Sequence, residues 1–264
     1  MAGAIFRKTL RDARRGILGW GIALAALAFL VVIIYPSVSE FQEMNDYVEA
    51  LPDVFKAMLG DLEDITSPAG FLSVELFFYT PLVLAVYAVM AGAAAVAGEE
   101  RRGTIDLLMS TPVPRWRALL EKFAAFAVAL VGVLSVTYLG IVVGLILTPS
   151  MEISLGRLLE AVFNLLPITL AIGALAFLFS AALPGRLSAG LMATVVIVAA
   201  YVLNLLSEMS DALRPVRGLS PFYYYGTRTI FDGLNWGNVT VLLIASAVLL
   251  ALAVFSFERR DLAV

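Results

Sequence analysis

Residues Phe123–Leu147 read FAAFAVALVGVLSVTYLGIVVGLIL, 25 residues without one charged side chain. As a helix this run is about 37 Å long, more than the hydrocarbon core of a bilayer. It is apolar on every face, which a soluble core helix does not require. It is therefore read as a membrane span. Five further runs share the pattern: Ile17–Tyr35, Leu72–Ala97, Ala161–Leu183, Leu187–Leu206 and Val239–Phe257. The expected fold is all-α, a single polytopic membrane domain over residues 1–264 with six transmembrane helices. Composition agrees: 61% of the chain is hydrophobic and 15% charged, where a soluble domain carries roughly 25% charged residues. Pro81 and Pro167 fall inside two spans, where neighbouring groups must satisfy the carbonyls they free.

The charges orient the spans. With the N-terminus inside, residues 1–16, 98–122, 184–186 and 258–264 face the cytoplasm and hold thirteen of the eighteen Lys and Arg. Lys56, Arg157, Arg214, Arg217 and Arg228 lie outside. Seven acidic residues are inside and fourteen outside. The positive-inside rule thus predicts a multi-pass protein of the cell membrane with both termini cytoplasmic. The first apolar run is longer than a signal-peptide core of about 7–15 residues, so it is expected to stay as an anchor.

The chain has no cysteine and no histidine. Cys/His zinc sites, disulfides, thiol nucleophiles and Ser-His catalysis are excluded together. The acidic trio Asp61, Glu63 and Asp64 lacks the alternation and glycine of a calcium loop. No metal site and no catalytic residue are expected. No ionisable residue falls well inside a span, which argues against an ion-coupled carrier or charge-selective channel.

Three connecting segments carry patterns. Near the N-terminus Phe6, Leu10, Ala13 and Ile17 keep helical spacing, while Arg7, Lys8, Arg11, Arg14 and Arg15 form a basic face. This predicts an amphipathic interfacial helix on the inner leaflet; the plainer alternative is a charge cluster that only sets topology. In the outer loop 36–71, Phe41, Met44, Val48, Leu51, Phe55, Met58 and Leu62 form a second amphipathic pattern, with Pro52 opening a short helix. Residues 207–238 contain LSPFYYYG. Ser220, Pro221, Tyr223, Tyr224 and Tyr225 there are candidates for an outer re-entrant segment, against an ordinary aromatic belt. Gly140 and Gly144 form a GxxxG pair expected to pack within the chain rather than across a dimer.

The informative loop is 98–122, GEERRGTIDLLMSTPVPRWRALLEK. Thr104 is placed to cap a short helix presenting Ile105, Leu108 and Met109 on one face. Thr111 would cap the next helix, with Pro112 in its first turn, running on into the third span. Such a rigid protrusion with apolar knobs suits docking into a groove of a cytoplasmic partner; a helix resting on lipid is the alternative.

Glu99-Glu100-x-x-Gly103-Thr104-Ile105-Asp106-Leu107-Leu108-Met109-Ser110-Thr111-Pro112-Val113-x-Arg115 resembles the loop signature of type-2 ABC transporter permeases. Six spans, the basic N-terminal segment, the short turn between spans four and five, Leu-Ser-Pro before the last span and the terminal Phe-Glu-Arg-Arg-Asp-Leu extend the resemblance over most of the chain. The resemblance implies a half-transporter of the ABC-2 type. In it, the N-terminal helix is the elbow helix and the loop holds a cytoplasmic coupling helix between spans 2 and 3, seated in a cleft of an ABC ATP-binding subunit. The implied coupling interface is Glu99, Glu100, Arg101, Arg102, Gly103, Thr104, Asp106, Leu107, Leu108, Pro112 and Arg115.

The chain contains no G-x-x-x-x-G-K-[ST], the loop that cradles nucleotide phosphates. It is not expected to be an enzyme by itself. It needs no cofactor; ATP and Mg²⁺ are expected on the partner. The expected function is the permease subunit of an ATP-driven exporter, forming its path with a second permease copy in a homo- or heterodimer. An amphiphile is the substrate class its apolar lining suits, and nucleic acid is not an expected partner. The competing readings are an ATP-independent carrier or channel and a membrane assembly scaffold.

Overall fold

The computed structural model describes residues 3–39, 67–98, 113–226 and 230–260. These residues form helices α1 (Ala4–Ser39), α2 (Pro68–Leu72), α3 (Thr80–Ala93), α4 (Arg115–Leu147), α5 (Leu155–Phe163), α6 (Leu165–Ala182), α7 (Arg186–Met209), α8 (Pro221–Tyr225) and α9 (Trp236–Arg259). A π-helical turn (Ser73–Phe77) joins α2 to α3, and a 3₁₀ segment (Asp211–Leu219) precedes α8. Among the described residues, six helical stretches are long and apolar enough to cross a membrane, each overlapping a span expected from the sequence. The chain is a multi-pass membrane protein. The amphipathic pattern of 41–62 lies outside the described residues.

Two adjoining groups of helices build the bundle. α1 runs alongside α4 for nearly its whole length, both pointing the same way. Their register is read from close approaches: Gly132 faces Ile17, Gly21 faces Val136, Gly140 faces Ala25 and Gly144 faces Val32. At Gly140 an added Cβ would lie 2.7 Å from the Ala25 backbone, so only glycine admits this spacing. The GxxxG pair therefore packs within the chain, by the close helix approach that small residues permit. In the second group, α6 packs on α3 and α9, with α7 across it. Spans two and four are the centre, with 56% and 61% of their most apolar stretches buried, against 22%, 17% and 22% for α1, α7 and α9. The outer faces of those three present Leu18, Ile22, Leu191, Val195, Ile244 and Val248 to the surroundings, as helices in lipid do.

Two helix starts differ from those expected. The basic N-terminal segment is continuous with the first span: α1 runs through both without a break. Nothing between Ala4 and Tyr35 forces a break, because no proline interrupts good helix formers such as Leu10, Arg11 and Ala13. The helix expected to run on from Thr111 into the third span starts farther along. Val113 and Pro114 precede the helix, Pro114 has extended backbone (ψ 145°), and α4 starts at Arg115. A proline disfavours helical backbone in the residue before it, so Pro114 sets Val113 apart from the helix.

The two span prolines break their helices at one level. An α-helical residue 81 would donate its amide to the Phe77 carbonyl; Pro81 has no such hydrogen. The π turn ends at Phe77, and the Tyr225 hydroxyl donates to the Phe77 carbonyl instead, at 3.1 Å. In the fourth span the helix breaks at Asn164, three residues before Pro167. Asn164 Nδ2 donates to the Tyr225 carbonyl at 3.0 Å. Tyr225 thus ties both breaks together.

Candidate functional site

The end of the bundle that holds Arg115, Lys122 and Arg260, here the basic end, is where α3, α6 and α9 finish and where α1, α4 and α7 begin. Each terminating helix leaves unpaired carbonyls and the negative end of its dipole there. Cations answer each of them. Lys122 Nζ, buried, donates to the Ala95 carbonyl at 2.5 Å, just past the end of α3. Arg260 Nη1 donates to Ala181 and Leu183 carbonyls at 3.4 and 3.2 Å, at the end of α6. Arg115 Nη1 donates to Phe257 and Arg260 carbonyls at 3.3 and 2.9 Å, at the end of α9, with its guanidinium 5.7 Å from the Phe257 ring.

A carboxylate answers the opposite polarity. Glu121 accepts from the Gly3 and Phe6 amides, both at 3.1 Å, capping the start of α1 from α4. Arg117 holds that carboxylate one turn away, at 3.1 Å. Ser180 completes the arrangement. Its buried hydroxyl accepts from the Val96 and Ala97 amides at 3.1 Å each and donates to the Ala93 carbonyl at 3.2 Å. The last turn of α3 is thereby fastened to α6.

Consequently, both roots of the 98–122 loop are fixed. Its first root follows Ala97, held through Ser180 and Lys122; its second is Arg115, held to the end of α9. Of the expected coupling residues, Glu99, Glu100, Arg101, Arg102, Gly103, Thr104, Asp106, Leu107, Leu108 and Pro112 lie outside the described residues. Arg115 is half-buried at the first position of α4. Of the expected elbow residues, Arg7, Lys8, Arg11, Arg14 and Arg15 are exposed on the opening turns of α1, while Phe6 and Leu10 are half-buried.

A cavity of about 350 Å³ opens at the same end between α1, α3 and α4, with Phe177 of α6 at its back. Lys8, Thr9, Asp12 and Lys122 line its basic-end part; Trp20, Tyr87 and Phe126 line it farther in. The Trp20 and Tyr87 rings lie 5.8 Å apart, and Tyr87 stacks on Phe126 at the same distance.

At the opposite end, Ser220 caps α8: its hydroxyl accepts from the Phe222 amide at 3.3 Å and donates to the Ala200 carbonyl at 2.8 Å. Pro221 occupies the first turn of α8, and Gly226 ends it with left-handed backbone (φ 63°). Phe222 and Tyr225 are buried against α6, α7 and α9, Tyr224 is half-buried, and Tyr223 is exposed and lies 4.7 Å from the Arg217 guanidinium. The segment therefore folds into the bundle rather than forming only a surface belt of aromatics. Burial pushes the Tyr225 hydroxyl well above the usual phenol range, which keeps it a hydrogen-bond donor.

Sequence reasoning did not single out Glu121, Lys122, Ser180 or Arg260. The adjacent Glu121-Lys122 pair at the edge of an apolar run was the visible signal for two of them. Ser180, a lone hydroxyl in an apolar span, carried none.

The geometry thus joins six spans, fastened helix ends on either side of the loop between the second and third, and caps that satisfy the helix ends at the basic face. A comparison with characterised individual proteins returned no match. A family model does match, that of the ABC-2 family transporter protein, over residues 3–262. Covering nearly the whole chain, that match places it in the ABC-2 transporter family, as a multi-pass membrane permease of the ABC type.

Proposed function

We propose that this chain is the permease subunit of an ATP-driven exporter, working as a dimer and powered by a separate ATP-binding chain docked on the 98–122 loop. The basic end faces the cytoplasm in this reading, as the positive-inside rule requires. Glu99, Glu100, Arg101, Arg102, Gly103, Thr104, Asp106, Leu107, Leu108 and Pro112 form the contact. Arg115 transmits displacement from it.

The observation that carries the reading is the fastening of both loop roots. A rigid displacement of the loop would move the ends of α3 and α4 directly. Through Ser180 it would reach α6, and through Arg115 it would reach α9. Four of the six spans are therefore mechanically tied to one short segment. Coupling of this kind needs contiguous packed and hydrogen-bonded elements, and they are present. The sequence adds that no phosphate-cradling loop exists here, so the energy would come from another chain.

The test is affinity purification of the tagged chain from its native membrane in mild detergent. A P-loop ATPase should co-purify in near-equal amount and be lost when Gly103 and Leu108 are replaced by bulky charged residues. An active preparation that transports with no ATPase bound would overturn the reading.

A further inference from the structure

The cavity at the basic end has the form of a lipid site. Lys8 and Trp20 both line it, and twelve residues of helix separate them by about 18 Å along α1. Its volume of about 350 Å³ is near the small end of ligand pockets. Spread over that depth, it is a slot, narrow for its length, shaped for a hydrocarbon chain rather than a compact solute. Small side chains leave the space open: Gly16, Ala91, Ala94, Ala125 and Ala129 line it. An added Cβ at Gly16 would meet no atom within 4 Å, so nothing packs against that part of the slot wall. Met90, at the edge of the slot on α3, is 49% exposed, which leaves a side entrance from the surrounding lipid.

Polarity runs along the slot. Its deep part is aromatic, and its basic-end part carries Lys8, Thr9 and Lys122 against one acid, Asp12. Beside it, Arg7, Arg11 and Arg15 are exposed on the same helix. The rim is therefore net positive and sits at the depth of the headgroups of one leaflet, where basic residues attract anionic lipids.

We propose that this slot is a binding site for an anionic phospholipid of the leaflet at the basic end. One acyl chain lies along Gly16, Trp20 and Phe126, and the phosphate is held at Lys8 and Thr9. The ligand would fill the gap between the first two spans beside the fastened root of α3. The inference rests on the membrane fold and on no step of ATP-driven export.

The test uses the full chain with Trp116→Phe and Trp236→Phe, leaving Trp20 as its one tryptophan. It is reconstituted in phosphatidylcholine vesicles containing a minor fraction of lipid with brominated acyl chains. Brominated phosphatidylglycerol should quench Trp20 about fivefold more effectively than brominated phosphatidylcholine at equal fraction. Gly16→Phe and the smaller Gly16→Leu fill the slot and should abolish the preference. Lys8→Gln should lower it, whereas Arg14→Gln, outside the slot, should leave it unchanged. Thermal melting of each variant confirms the fold, and Lys8→Gln changes only an exposed side chain. Equal quenching by the two lipids overturns the proposal. So does a preference that survives Gly16→Phe, which would mean enrichment by surface arginines alone. A Gly16→Phe protein altered in transport but not in quenching would assign the slot to cargo and equally overturn it.

Discussion

The Tyr225 hydroxyl lies 3.1 Å from the Phe77 carbonyl, the acceptor that Pro81 leaves without its helical partner. Two residues 148 positions apart in sequence thus repair one backbone defect. The repair also fixes where the segment after the fifth span seats, because the Tyr225 backbone accepts from Asn164 in the fourth.

Tyr225→Phe should strand a buried carbonyl and destabilise the protein by about 1–3 kcal/mol. Pro81→Ala restores the amide hydrogen at that position. The double variant should therefore melt above Tyr225→Phe alone, as thermal unfolding in detergent would report. Equal melting of the single and double variants would mean that the hydroxyl does not stand in for the missing amide.

Gly140→Val should force α1 away from α4, since a Cβ there meets the Ala25 backbone at 2.7 Å. A loss of about 1–3 kcal/mol follows from overpacking of this kind. Gly19→Ala, where an added Cβ meets nothing within 4 Å, should be neutral or stabilising by up to about 1 kcal/mol. Comparing the two melting shifts separates helix contact from helix propensity.

Glu121→Gln should weaken the cap on α1 by about 1 kcal/mol, because charge-assisted bonds to the Gly3 and Phe6 amides become neutral ones. The readout is amide hydrogen exchange. Protection at Phe6 should fall while protection in the middle of α1 is unchanged. Faster exchange along the entire helix would show instead that Glu121 holds α1 to α4 globally.

Arg115→Ala should uncouple the proposed transporter, leaving ATP hydrolysis by the co-purified complex but reducing transport into inverted vesicles by about tenfold or more, the loss of roughly 1.4 kcal/mol of coupling. Arg115→Lys should restore little, because one ammonium does not reproduce a planar guanidinium that reaches two carbonyls and lies near the Phe257 ring. Transport that tracks ATPase activity in both variants would remove Arg115 from the coupling path.

The number and placement of the spans were legible in the sequence, because apolar length is a one-dimensional property that a bilayer reads directly. The turn between the fourth and fifth spans was legible too, with Gly185 taking the positive φ of 82° that other residues rarely adopt. Gly140 and Gly144 announced a close contact by their spacing. Their partners Ala25 and Val32 were not announced, since every apolar helix offers many faces of similar composition.

What the tertiary structure alone decided is how helix ends and gaps are satisfied. Arg7 through Arg15 spell an amphipathic helix, but that its first turn is capped by Glu121, more than a hundred residues away, shows only in the fold. Lys122 and Arg260 counted only as positive charges on one side of a membrane until the ends of α3 and α6 were found beside them. Pro81 marked a defect whose repair required Tyr225 to arrive from α8, far along the chain. Apolar length and charge asymmetry are local sums along the chain, so sequence determines them. Hydrogen-bond satisfaction and the slot behind Lys8 depend on which surfaces meet, and only the folded bundle brings those surfaces together.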